Sequence, residues 1–219
     1  MDGAVTLHLG LDLGGTNVKW ALVERDGSPR VTAAGSSATH AHEGPDRVVA
    51  RLAEVGRGRS RRRSARLGVD GHLHLGIGTA GELGHQTVAP DGPVCGCGNR
   101  GCVEAVASAE AIAAAGGRAT VEEIVVAAEA GEQRAREALE LAGCYLGIAL
   151  ANCVLLLAPE RIVVGGGVAG SGELLLAPIR AELRQRVRVA PIERIDVAPA
   201  ELGPGAGAIG AALWAAERC

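Results

Sequence analysis

Nine residues separate His85 from Cys95, one separates Cys95 from Cys97, and four separate Cys97 from Cys102. Three thiolates and one imidazole inside so short a stretch match the soft, four-ligand tetrahedron that Zn²⁺ prefers. All four ligands are protein groups, so the coordination shell is closed and the spacing predicts a structural ion. Gly96, Gly98 and Gly101 allow the backbone to fold tightly around it. The competing reading is three reduced cysteines in a glycine-rich loop. Cys144 and Cys153 lie in an apolar stretch and read as core residues, while Cys219 ends the sequence.

Two glycine-rich segments could hold phosphate or a flat ligand. The first is Asp12-Leu13-Gly14-Gly15-Thr16. Its glycines let backbone N–H groups approach phosphate oxygens, Thr16 can donate its hydroxyl, and Asp12 can hold a hydrated Mg²⁺. A simple tight hairpin is the alternative. The second is Ile162-Val163-Val164-Gly165-Gly166-Gly167, a strand entering three glycines, where an adenosine could approach closely. Alone the signal is weak, and a plain strand-to-loop turn explains it better.

Elements of regular structure must place these residues. Val5 to Leu13 alternates apolar with polar or small residues, and Val18 to Val23 follows the Gly14-Gly15 turn, which predicts a hairpin. Val31 to Ser37 is a third strand, and Pro45 opens a helix whose Val48, Val49, Leu52 and Val55 share a face. Leu67 to Leu75 reads as a hairpin about Asp70-Gly71, and Glu82 to Val88 as a short helix or strand. Ser108 to Ala115 is a short helix, and Thr120 caps the next, with Glu123 at the reciprocal position. Glu132 to Ala158 is a long central helix. Arg161 to Val164 is a buried strand, Glu173 to Val187 a helix with Leu174, Ile179, Leu183 and Val187 inward, and Ile195 to Val197 a short strand. Ala206 to Glu217 is a small-residue helix suited to very close packing. This alternation indicates an α/β protein.

Composition excludes several classes. The 219 residues are 47% hydrophobic and 21% charged, ordinary for a soluble globular chain. Phe is absent, and Tyr145 and Lys19 are the only residues of their types, so Leu, Val, Ile and Ala must build the core. A net charge of -3 gives no general pull toward nucleic acid or anionic membrane. Residues 56–66, Gly-Arg-Gly-Arg-Ser-Arg-Arg-Arg-Ser-Ala-Arg, carry no interleaved aromatic, and read as a solvated basic loop or as the join left by a deletion. Leu139 to Pro159 contains Glu140 and Asn152 and reads as a buried helix, not a span. Six cysteines without a secretory signal point to a reducing, cytoplasmic setting and to metal binding over disulfides.

Taken in order, the motifs become specific. Asp12 to Thr16 comes first, then Gly81-Glu82-Leu83-Gly84-His85, then Cys95-Gly96-Cys97-Gly98-Asn99-Arg100-Gly101-Cys102-Val103-Glu104. Val163 to Gly167 and Gly207-Ala208-Ile209-Gly210-Ala211-Ala212 follow. This series resembles the ROK family of bacterial sugar kinases and repressors, over residues 5–56 and 67–216. The resemblance implies an actin-like ATPase (ribonuclease H-like) fold, two α/β domains around a cleft, with the first domain incomplete. It divides the chain into a partial N-terminal ATPase-type subdomain (1–66), a C-terminal subdomain with the zinc loop (67–204), and a C-terminal helix (205–219) returning toward the first. It implies sugar contacts from Glu82, His85 and Glu104, with His85 also a zinc ligand beside Cys95, Cys97 and Cys102. Asp12, Gly14, Gly15 and Thr16 would lie at the ATP phosphates and Gly165 to Gly167 near the adenosine. The implied cofactors are structural Zn²⁺, with Mg²⁺ and ATP if the chain is catalytic. The implied partners are a hexose, ATP and a second copy of the chain, with no nucleic acid and no membrane.

The departure from the family pattern is internal. Family kinases carry a longer stretch before the Leu67 hairpin, which supplies an Asn-Asp pair with the general base and a second phosphate loop. Here Gly56 leads through the arginine run directly to Leu67. Asp70 fits an Asp-Gly turn better than a substitute base, and Asp46 and Asp91 have no stronger claim. The expectation is therefore weak or undetectable hexokinase activity. The repressor branch is disfavoured, since only Met1 to Ala4 precede the first strand.

Overall fold

A computed structural model of the chain describes residues 7–13, 17–26, 28–38, 67–69, 72–74 and 81–216. Gly14, Gly15, Thr16, the helix opened by Pro45, the arginine run, Asp46 and Asp70 lie outside the described residues. Two compact units emerge: residues 1–62 with 201–219, and residues 63–200.

The first unit is built on an antiparallel sheet in the order β1 (Leu7–Leu13), β2 (Asn17–Asp26), β3 (Ser28–Ala38). Asp12 pairs with Lys19 across β1 and β2, as the hairpin pattern requires. A register shift at Leu22/Val23 interrupts the β2–β3 ladder. Ala21 and Val23, two apart and so on one face of β2, are fully buried. They pack against helix α6 (Ala206–Ala216) through Ala208, Ile209 and Ala212. Ala208 and Ala212 share a face one turn apart, and their short side chains let the helix approach the sheet closely.

The second unit opens with the hairpin β4 (Leu67–Val69) and β5 (His72–His74). Its helices are α1 (Val103–Ala107), α2 (Ala109–Gly116), α3 (Val121–Glu129), α4 (Gln133–Leu157) and α5 (Glu173–Arg186). The 25 residues of α4 form the axis on which α1, α2, α3 and α5 pack. By length and composition α4 could cross a membrane. Its Ala135, Ala138, Leu139, Ala142, Ala149, Ala151 and Val154 are instead buried in the core of the unit. α5 lies close against it because Gly143 and Gly147 leave room. A Cβ at Gly143 would stand 2.5 Å from Pro178 Cγ, and one at Gly147 2.5 Å from Glu182 Cβ.

Strands β6 (Arg161–Val164) and β7 (Asp196–Pro199) pair in parallel, joined through α5. Three expectations need correction here. β6 is not buried throughout: Ile162 is enclosed, but Val163 is 58% exposed, so only one face of the pair is covered. On α5 Ile179 and Leu183 face inward and Val187 is buried just past its end, as expected, but Leu174 is only half-buried and Leu175 and Leu176 are enclosed in its place. The last strand begins at Asp196, where the ladder to Arg161 starts.

Caps explain two helix starts. Ser108 Oγ accepts from Ala111 N at 3.1 Å to begin α2, and Thr120 Oγ1 accepts from Glu123 N at 3.3 Å to begin α3. Glu123 reaches back as expected, but its Oε2 accepts from Ala119 N, one residue before the cap.

Candidate metal centre

Residues 81–104 form a compact loop that ends in α1. A 3-10 turn, Leu83–His85, is closed by bonds from His85 N to Glu82 O (3.2 Å) and Gln86 N to Leu83 O (3.1 Å). Glu82 heads that turn and His85 ends it. The following segments double back. Val88 N donates to Gly101 O (2.8 Å), Gly101 N to Pro93 O (2.9 Å), and Cys95 N to Asn99 O (2.7 Å). Glycine is required at Gly101, where φ is +62° and a Cβ would fall 1.5 Å from Ala89 O. The 95–99 turn is completed by Gly98 N donating to Cys95 O. Val103 N then donates to Gln86 O (3.0 Å), which fastens the start of α1 to the residue after His85.

This folding gathers His85, Cys95, Cys97 and Cys102, with ligand atoms all within 4.8 Å of one another. His85 Nδ1 is 3.7 Å from Cys95 Sγ, and Cys97 Sγ is 3.7 Å from Cys102 Sγ. Around an ion about 2.3 Å from each sulfur, tetrahedral ligands stand about 3.8 Å apart, so the group fits Zn²⁺ without rearrangement of these pairs. A disulfide needs about 2.05 Å, far shorter than this. Cys95 and Cys102 are buried, and His85 and Cys97 reach the surface.

The thiols differ electrostatically. The Asn99 backbone N–H holds the Cys97 thiol below its usual range, and burial pushes Cys102 up to about 11. A divalent cation would convert both to thiolates.

Two carboxylates border the cluster. Glu104, in the first turn of α1, accepts from the Cys95 thiol through Oε1 at 3.9 Å. Its Cβ lies 3.8 Å from where a side chain on Gly84 would begin, which sets the 3-10 turn and α1 side by side at ordinary contact distance. Glu82 has no side-chain partner among the described residues. His85 and Glu104 are thus brought to one loop, and Glu82 sits three residues from His85 at the head of the turn.

Sequence reasoning missed a second link. Asn152 Nδ2 on α4 donates to Gln86 Oε1 at 3.0 Å, and Gln86 Nε2 donates to Cys153 Sγ at 3.8 Å. Cys153 is half-buried and part of this contact, not simply core.

Gly165 to Gly167 follow β6 in the second unit. Gly166 has φ +85°, and a Cβ on Gly166 or Gly167 would meet nothing within 4 Å, so the backbone is open to approach. Gly167–Ser171 forms a 3-10 turn before α5, and the buried Ser171 Oγ has no hydrogen-bond partner. Asp12 lies in the first unit, on β1.

The ROK family model matches residues 66–218. A glucokinase of Halalkalibacterium halodurans is 36% identical over 158 residues, 63% of this chain and 48% of the relative. A xylose repressor of Bacillus spizizenii is 33% identical over 147 residues, 65% of this chain and 38% of the relative. The chain therefore spans about half the length, or less, of these curated relatives. A crystal structure of a ROK family glucokinase from Streptomyces griseus, in complex with glucose and AMPPNP, superimposes with a TM-score of 0.72 at 24% identity. The superposition covers 97% of this chain and 100% of that one. The fold is the actin-like ATPase fold.

Proposed function

The chain belongs to the ROK family, and from that premise we propose that it binds a hexose on the zinc loop and transfers phosphate from ATP to it weakly or not at all. The observation that carries the binding half is the convergence of His85 and Glu104 on one loop, with the Glu104 carboxylate 3.9 Å from the Cys95 thiol. His85 offers Nδ1 to the cluster. Its Nε2, across the ring, then carries the proton and can donate to a sugar hydroxyl. Glu82 and Glu104 can accept from neighbouring hydroxyls, giving the mixed donor and acceptor wall that a polyol requires. Zn²⁺, when bound, contributes folding free energy and fixes the orientation of the His85 ring. The Gln86–Asn152 bond holds the same wall against α4.

The transfer half rests on positioning. In this reading Asp12, Gly14, Gly15 and Thr16 hold Mg²⁺ and the ATP phosphates, and Gly165 to Gly167 the adenosine. Phosphoryl transfer is catalysed mainly by orientation and charge neutralisation, with a carboxylate receiving the hydroxyl proton. That base must lie within about 3.2 Å of the attacking oxygen, or reach it through one water. Asp12 serves the phosphate side and cannot also take the proton. The stretch that holds the base in family kinases is absent between Gly56 and Leu67. Loss of a positioned base commonly costs about 10²–10⁴ in rate. The similarity to a xylose repressor favours a second reading, sugar binding with no turnover.

A coupled ATP–glucose assay on zinc-loaded protein, beside Asp70→Asn, decides the transfer half. Turnover is expected to be weak or undetectable in both. Family-like turnover that survives Asp70→Asn would overturn the reading of the gap, and turnover abolished by it would make Asp70 a relocated base.

A further inference from the structure

A cavity of about 420 Å³ lies where α5, the 3-10 turn Ile192–Arg194 and the start of β7 meet. Its lining includes Leu183 and Val197, both buried, which form an apolar floor. The charged side chains of its wall are Arg180, Arg184, Glu193, Arg194 and Asp196. Three of these five differ from the other two in their partners.

Arg180 is fixed in place. Its guanidinium pairs with Glu173 at 2.6 Å and donates to Val197 O at 2.6 Å. Asp196 is neutralised by Arg161 at 2.8 Å. Elsewhere on the same helix, Arg186 pairs with Glu182. The side chains of Arg184, Arg194 and Glu193 have no hydrogen-bond or ion-pair partner among the described residues. Two arginines and one glutamate that line the cavity are therefore without a charge partner among the described residues. Arg184 lies one turn beyond Arg180 on the same face of α5.

We propose that this cavity binds the phosphate group of a small phosphorylated molecule. Guanidinium forks match phosphate oxygens in bidentate geometry. A dianion gains from both arginines more than it loses to Glu193, whereas a singly charged ligand gains much less. Phosphomonoesters carry about -1.5 to -2 at neutral pH. The apolar floor suits the carbon skeleton of an ester.

Within the second unit this site is separate from both the glycine run and the zinc loop. β6 and β7 run parallel, with Arg161 beside Asp196 at one end and Val164 beside Pro199 at the other, where Gly165 follows. At about 3.3 Å per residue the two ends lie about 10 Å apart. No residue of the loop 81–104 lines the cavity. The inference does not depend on whether the chain turns over.

The test is calorimetric titration of the full zinc-loaded chain with inorganic phosphate and, separately, with glucose 6-phosphate. Saturable binding is expected, weakened about tenfold by Arg184→Ala and by Arg194→Ala, since each loses a charge-assisted bond. Glu193→Gln should tighten it. Arg188→Ala, an equal loss of charge outside the cavity, should leave it unchanged. Equal affinity for the two probes identifies the phosphate group as the ligand, and binding of glucose 6-phosphate alone identifies the ester. Absence of saturable binding by either probe would overturn the proposal. So would affinity unaltered in the Arg184→Ala/Arg194→Ala double variant, or lowered as much by Arg188→Ala. Zinc content and thermal unfolding of each variant separate a binding defect from a folding defect.

Discussion

Of the four clustered donors, Cys97 lies at the surface with His85 and Cys102 is buried with Cys95, and the Cys97 and Cys102 sulfurs are 3.7 Å apart. Substituting the surface ligand removes a metal bond without opening a core cavity. Purified protein should hold about one zinc per chain, and Cys97→Ser should lose it and unfold at lower temperature, because a structural metal contributes to folding directly. Metal analysis and thermal unfolding read this. Retained zinc with unchanged stability would refute the ligand assignment. At this scale the four residues of the cluster were legible, because soft donors a few residues apart need no long-range information to converge. The Asn152–Gln86 bond was not legible. It crosses 66 positions of sequence, and an amide on an apolar helix carries no mark of its partner.

The packing of α4 on α5 shows what elements reveal about themselves. The length of α4 followed from its apolar run, and Thr120 marked the start of α3 by its hydroxyl. α1 left no such mark: Cys102 occupies its cap position and makes no side-chain capping bond. The role of Gly143 was equally hidden, since a glycine within a helix reads as a weakness until its neighbour is known. Gly143→Ala would place a methyl 2.5 Å from Pro178 Cγ and 2.8 Å from Leu175 O. Intrinsic propensity favours that change by about 1 kcal/mol. Overpacking of about 1–3 kcal/mol opposes it, and one contact is to backbone, which cannot swing aside. Net destabilisation is expected in urea unfolding, with a lower midpoint. A raised midpoint would mean that α5 shifts freely on α4.

At the scale of the whole molecule, periodicity indicated only an α/β chain, and the order of motifs narrowed it to one family. The three-stranded sheet and its covering helix α6 came from alternation and small residues, which are local signals. Activity is not a local signal. In the proposed reading it depends on a segment that the family resemblance places between Gly56 and Leu67, where this chain has the arginine run. In the same proposed reading sugar binding rests only on the loop of the second unit, and so can be tested apart from transfer. The most direct test is glucose titration of the zinc-loaded chain beside Glu104→Gln, with zinc content measured in both. Saturable binding is predicted, weakened about tenfold in Glu104→Gln by loss of a charged acceptor, with about one zinc retained per chain. Absence of glucose binding by the zinc-loaded chain, or equal affinity in the variant, would contradict a sugar site on the zinc loop.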